Sequence, residues 1–103
     1  MRLICVEETE ELVQVKTVGQ IAPSSADQLR DPFLELFGPQ IFQRRVELDL
    51  SESDFISSSG IGWLLQANKR FEQHGGKLTL HSIPKAIEQV LRIMRLQSVL
   101  HGV

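Results

Sequence analysis

A chain of 103 residues, 42% hydrophobic and 23% charged, has the composition of a globular protein and the length for one ordinary core. Its formal net charge is −2 and, apart from Arg44-Arg45, its basic residues are dispersed, which leaves no electrostatic case for nucleic acid or an anionic membrane. With one cysteine, no run of membrane-spanning length and no signal-peptide core at the N-terminus, the expectation is a single soluble domain, 1–103, in a reducing cytoplasm.

Leu3 to Val6 is a short apolar run that predicts an edge strand, with Cys5 as a small buried apolar residue in it. Glu7 to Glu10 is an acidic, solvated hairpin end. Leu12 to Val18 has strand composition, and Val13, Val15 and Thr17 fall on one face. Gly19 to Pro23 turns the chain. Ser24 or Ser25 then caps a helix with apolar positions Ala26, Leu29, Phe33, Leu36 and Phe37. Pro32 interrupts that pattern. Either the helix kinks there, or a new helix starts at Pro32 with Asp31 as its cap. The kink is preferred, because Ala26 and Leu29 keep the period. Gly38-Pro39 ends the helix.

Arg45 to Leu50 alternates apolar and polar residues and predicts a central strand. Ile61, Leu64, Leu65 and Phe71 recur at helical spacing in a helix that runs to about His74, closed by Gly75-Gly76. Leu78 to Leu80 is a further strand. Ser82 caps or nearly caps a helix with Pro84 in its first turn, and Ile87, Val90, Leu91 and Met94 form its core stripe. Leu96 to Val103 could add a last short strand. The alternation after the first hairpin predicts an α/β fold: a mixed sheet of four or five strands with helices packed mainly on one face. Val46, Leu48, Leu50, Ile61, Leu64, Leu65, Leu78, Leu80, Ile87, Val90 and Leu91 should be largely buried.

The most informative stretch is Phe55-Ile56-Ser57-Ser58-Ser59-Gly60-Ile61-Gly62. Its three hydroxyls lie at a strand-to-helix turn. A serine there can cap the helix by accepting a backbone N–H. The free N–H groups and the helix dipole also favour an anion, which makes the turn a plausible phosphorylation site. Trp63, one turn in, lies at the flank of the apolar face. It is a partly buried core flank, or a binding anchor if exposed. Asn68 is a candidate buried amide, whereas Lys69 and Arg70 are solvated.

No enzymatic constellation accompanies these residues. His74, His81 and His101 lack zinc-site spacing, no Gly-x-Ser-x-Gly elbow surrounds the serines, and Gly60 and Gly62 make neither a dinucleotide nor a P-loop fingerprint. Glu52 and Asp54 are solvated turn residues. A non-enzyme without cofactor or metal is expected.

The stretch Val46 to Leu100 resembles the STAS domain, the family of bacterial anti-sigma-factor antagonists. The resemblance rests on Leu48-Asp49-Leu50, the serine turn, Gly75-Gly76-Lys77-Leu78, then Pro84 and the apolar stripe Ile87, Val90, Leu91 and Met94. It covers about half the chain closely. In the first half, Val18-Gly19-Gln20-Ile21 stands in the place of the family's Gly-Glu-Leu-Asp. Three acidic positions of the family pattern differ: Gln20 replaces its glutamate, Ala22 the aspartate of that motif, and Ser57 the aspartate before its serines. The family's usual last helix is expected to be missing.

The resemblance implies a mechanism. An unphosphorylated serine at this turn faces an ATP-binding anti-sigma factor serine kinase, and docking frees the sigma factor. Phosphorylation abolishes docking, and a metal-dependent serine phosphatase restores it. Alignment on Gly60 makes Ser58 the phosphoacceptor, with Ser57 and Ser59 as lesser candidates. Ser59, closest to the helical run, is expected to cap by bonding the N–H of Ile61 or Gly62. The expected partner surface comprises Gly19, Gln20, Ala22 and Ser24 with Ser57, Ser58, Ser59, Gly60, Gly62 and Trp63, the two turns sharing one end of the sheet. The alternative is a constitutive, non-phosphorylated STAS scaffold, in a stress-signalling assembly or as accessory to a lipid-transport ATPase. Direct binding of a nucleotide or other anion at the helix N-terminus ranks last.

Overall fold

The computed structural model describes residues 1–103. Four strands, β1 (Arg2–Glu8), β2 (Val13–Val18), β3 (Arg45–Glu52) and β4 (Lys77–His81), form one sheet in the order β1-β2-β3-β4. The β1/β2 hairpin is antiparallel and the other two pairings are parallel, so the sheet is mixed. Parallel neighbours need crossovers. α1 (Ser25–Leu29) and α2 (Pro32–Phe37) lie in the first, and α3 (Ser58–Gln73) forms the second. α4 (Lys85–Ile93) follows β4.

Alternation puts Val13, Val15 and Thr17 of β2, Val46, Leu48 and Leu50 of β3, and Leu78 and Leu80 of β4 on one face, and all are buried. Against that face α3 sets Ile61, Leu64, Ala67 and Phe71, and α4 sets Ile87 and Leu91. Phe33 of α2 stacks on Trp63 with ring centroids 5.5 Å apart and meets Phe71 edge-on at 5.4 Å. Leu65 and Val90 are half-buried beside this core. The other face carries Gln14, Lys16, Glu47, Asp49, Thr79 and His81, none of them buried.

Several expectations need correcting. The segment from Ser24 to Phe37 does not kink but breaks. Arg30 is extended, and Asp31 caps a new helix by accepting from the Phe33 N–H at 2.8 Å, with Pro32 in its first turn. Ala26 and Leu29 keep the helical period but cover nothing, and α1 buries no residue. Leu36 and Met94 are exposed as well. The helix restarts because the cap and proline allow it and because the core takes Phe33. β1 extends through Glu7 and Glu8, which therefore belong to the strand rather than to the hairpin end.

Cys5 is exposed, not buried. It lies opposite Val15 on the edge strand, where nothing covers it. Desolvation by its neighbours and the Glu8 carboxylate raise its thiol pKa. Arg70 is not simply solvated. Its guanidinium lies 5.5 Å from the Phe42 ring centre and 3.6 Å from the Asp31 carboxylate. Leu96 to Val103 forms no strand. A 3₁₀ turn at Leu96–Ser98 leads to a single bridge, His101 to Thr79, with the Leu80 N–H donating to the His101 carbonyl at 2.8 Å.

Candidate functional site

β2 and β3 run parallel, so their C-terminal ends deliver two turns to the same edge of the sheet. Gly19 makes the first possible with φ of 83°. Beyond it, Ile21 forms a one-residue bridge to Ile56. The Ile21 N–H donates to the Phe55 carbonyl at 2.8 Å, and the Ile21 carbonyl accepts from the Ser57 N–H at 3.0 Å. The expectation that the Gly19–Ser25 and Ser57–Gly62 turns share one sheet end therefore corresponds to the geometry.

Below the turns lies the one buried hydrogen bond between two side chains. The Thr17 and Ser53 hydroxyls are 2.6 Å apart and 0% and 2% exposed. Thr17 sits where the β2/β3 register shifts, and Ser53 follows the end of β3. One hydroxyl donates to the other where water cannot reach. At the open face above, Lys16 pairs with Glu52, whose hydrogen bond and charge raise the lysine pKa.

The three serines divide their roles. Ser57 caps α3, and its Oγ accepts from the Gly60 N–H at 3.0 Å. The same hydroxyl is 2.8 Å from the Ser59 Oγ and 3.3 Å from the Ile21 carbonyl. One arrangement satisfies all three groups: Ser59 donates to Ser57, and Ser57 donates to Ile21. The cap is thus Ser57, not Ser59 as the sequence suggested, because the helix begins at Ser58, ahead of the first residue of its apolar period, Ile61. Ser58 is the first residue of the helix, exposed, and without a side-chain hydrogen bond.

Gly60 is buried under the other turn. A Cβ built there would stand 2.0 Å from the Ile21 carbonyl oxygen, so no side chain fits. Gly62, two residues on, meets nothing within 4 Å. Gln20 is exposed, Ala22 half-buried, and Ser24 is occupied with α1. Its Oγ accepts from the Asp27 N–H at 3.3 Å, while its own N–H donates to Asp27 at 2.9 Å. Trp63 is 7% exposed, and its indole N–H has no hydrogen-bond partner. Asn68 is buried and donates to the Val99 carbonyl at 3.3 Å, which makes it a structural amide. Sequence reasoning missed the Ile21 main chain and the Thr17–Ser53 pair. Neither has a local signal, because each depends on a partner 36 residues away.

A four-stranded mixed sheet backed by helices, with a serine-lined turn locked against a second turn at one end, is the architecture of a STAS domain. A family model described as "Mlab, STAS domain" matches residues 4–101, and the chain belongs to that family. Solved structures agree on the fold. The unphosphorylated anti-sigma factor antagonist SpoIIAA is 19% identical with a TM-score of 0.70, over 98% of this chain and 87% of that one. An anti-sigma-factor antagonist (STAS) domain protein of Planctomyces limnophilus is 20% identical with a TM-score of 0.63, over 100% of this chain and 92% of its own. The murine anion transporter Slc26a9 is 16% identical with a TM-score of 0.74. This chain covers only 15% of that length, with 90% of its own residues matched. No helix is long and apolar enough to cross a membrane.

Proposed function

We propose that residues 1–103 act as one cytoplasmic binding domain, an anti-sigma-factor antagonist that docks an ATP-binding anti-sigma kinase and is released by phosphorylation of Ser58. The observation that carries this reading is the division of the serines. Ser57 and Ser59 are hydrogen-bonded to each other, whereas Ser58 is exposed and unengaged at the first position of α3. A phosphate on Ser58 brings about −1.5 to −2 charges. In the free protein it meets the helix N-terminus, which tolerates an anion. In a docked interface the same charge is desolvated, and a penalty of ~3 kcal/mol weakens binding about a hundredfold. One hydroxyl thus biases docking without refolding the domain, and a serine phosphatase resets it.

The test is mass spectrometry after incubation with the kinase and ATP. Phosphate is expected on Ser58 and absent from Ser58→Ala, which keeps its fold and its kinase binding. Ser58→Asp weakens binding, although one carboxylate underplays a dianion. A second reading has its own support: Gln20, Ala22 and Ser57 stand where the family pattern is acidic, which favours a constitutive scaffold. Kinase binding with no phosphate on any of the three serines would establish that scaffold instead.

A further inference from the structure

Beside the serine turn, a groove of about 500 Å³ runs between the α1–α2 corner and α3. That volume lies within the range of ordinary ligand sites. Trp63 and Leu34 supply apolar walls, and Leu29 stands on the α1 side, 87% exposed. A single exposed leucine is ordinary. Three further features give this one meaning. α1 buries no residue of its own, so its apolar positions serve nothing within the fold. The Trp63 ring lines the groove while its indole N–H lies beneath the surface without a partner, so the side chain reports on whatever packs there. The charge is one-sided: Asp27 and Asp31 line the groove against one cation, Arg70, which already faces Asp31 at 3.6 Å.

We infer that this groove docks a short peptide segment of a protein partner, one with an apolar side chain flanked by basic residues. The apolar side chain packs on Trp63, Leu34 and Leu29. The basic groups meet Asp27 and Asp31. The inference deepens the docking reading above, and it rests on that reading only for the identity of the partner. Ser59 and Gly62 line the same groove, so a segment seated in it lies beside Ser58.

Trp63 is the only tryptophan, so its indole N–H gives a single, isolated nitrogen–proton resonance. The probe is the capped peptide acetyl-Arg-Leu-Leu-Arg-amide, with acetyl-Glu-Leu-Leu-Glu-amide as the charge control. The indole resonance is expected to move saturably with the basic peptide and several-fold more weakly with the acidic one. Leu29→Ser, which disturbs no buried contact, should weaken the basic peptide about tenfold. An indole resonance that stays fixed, equal binding of both peptides, or an unchanged titration in Leu29→Ser overturns the inference. So does a shift produced by raising the protein concentration alone, which would make a second copy the occupant. The two readings fail separately. A responsive indole with no phosphate on Ser58 leaves the groove and removes the kinase switch. Phosphate on Ser58 with a silent indole does the reverse.

Discussion

Two strand-to-helix turns in this protein look alike in sequence and behave differently. Both leave a parallel strand, both carry serine, and both open a helix. At the end of β3, Ser57 caps α3 and joins a hydrogen-bonded set that includes Ser59, Gly60 and the Ile21 main chain. At the end of β4, Ser82 caps nothing. It takes φ of 53° and bonds the His81 ring at 2.7 Å, and α4 starts at Lys85 with Pro84 in the cap position and no side-chain cap. This corrects the expected capping role of Ser82. The difference lies in the neighbours. The β3 turn is pressed against a second turn that fixes its backbone, whereas residues 82–84 make no backbone hydrogen bond to a distant segment. A hydroxyl before a helix becomes part of a site when a distant segment holds it there.

The largest test of that contrast is Gly60→Ala. Its methyl collides with the Ile21 carbonyl, and the backbone contact leaves no flexible atom to yield. A loss of about 3 kcal/mol or more is expected in urea unfolding. Gly62→Ala in the same helix meets open space and should gain roughly 0.5–1 kcal/mol. Equal effects at both positions would mean that the two turns are not locked together.

Next in size is the buried hydroxyl pair beneath the turns. Thr17→Val leaves Ser53 without a partner in a dry site, for a loss of roughly 1–3 kcal/mol. Adding Ser53→Ala should restore part of it, since removing both partners costs less than stranding one. A double-mutant cycle reads the coupling, and simple additivity would deny the pair its role.

Smaller effects separate the serines themselves. Ser57→Ala should cost about 1 kcal/mol through the lost cap. Ser82→Gly should gain about 0.5 kcal/mol, because glycine relieves the left-handed backbone at some entropic cost. A matching loss at both positions would erase the contrast between the turns.

Asp49 gives the smallest effect, on the face between them. Desolvation pushes its pKa up, but the hydrogen bonds from Ser51 and the charges of His81 and Lys16 outweigh it, and the net shift is downward. The stability it contributes is therefore present above the ordinary carboxylate value and is lost as pH falls through the lowered one. Acid unfolding of Asp49→Asn should show a shallower decline than wild type on that limb. Identical acid limbs would remove Asp49 from the account.

Legibility followed the range of the forces involved. Alternation in Val46 to Leu50 and the helical period of Ile61, Leu64 and Phe71 were readable because each element meets one wide apolar face. The family motif located the serine turn because its order and spacing are local. Within the turn, the roles of Ser57 and Ser59 were exchanged, since the apolar period marks where a helix packs rather than where its backbone begins. At Pro32 local rules allowed both a kink and a restart. Only the placement of Phe33 between Trp63 and Phe71 settled the restart.

The amino-acid sequence by itself therefore determined the alternating elements, the buried faces of β2, β3, β4 and α3, the STAS family pattern and the stretch that carries the serines, all properties of neighbours along the chain. The tertiary structure decided which serine is engaged and which is free, why Gly60 admits no side chain, and where α1 leaves a groove against α3. Those outcomes depend on the Ile21 carbonyl, on the Thr17–Ser53 contact and on one helix left unpacked. Each arises between segments far apart in sequence, where hydrogen bonding and close packing act but periodicity leaves no trace.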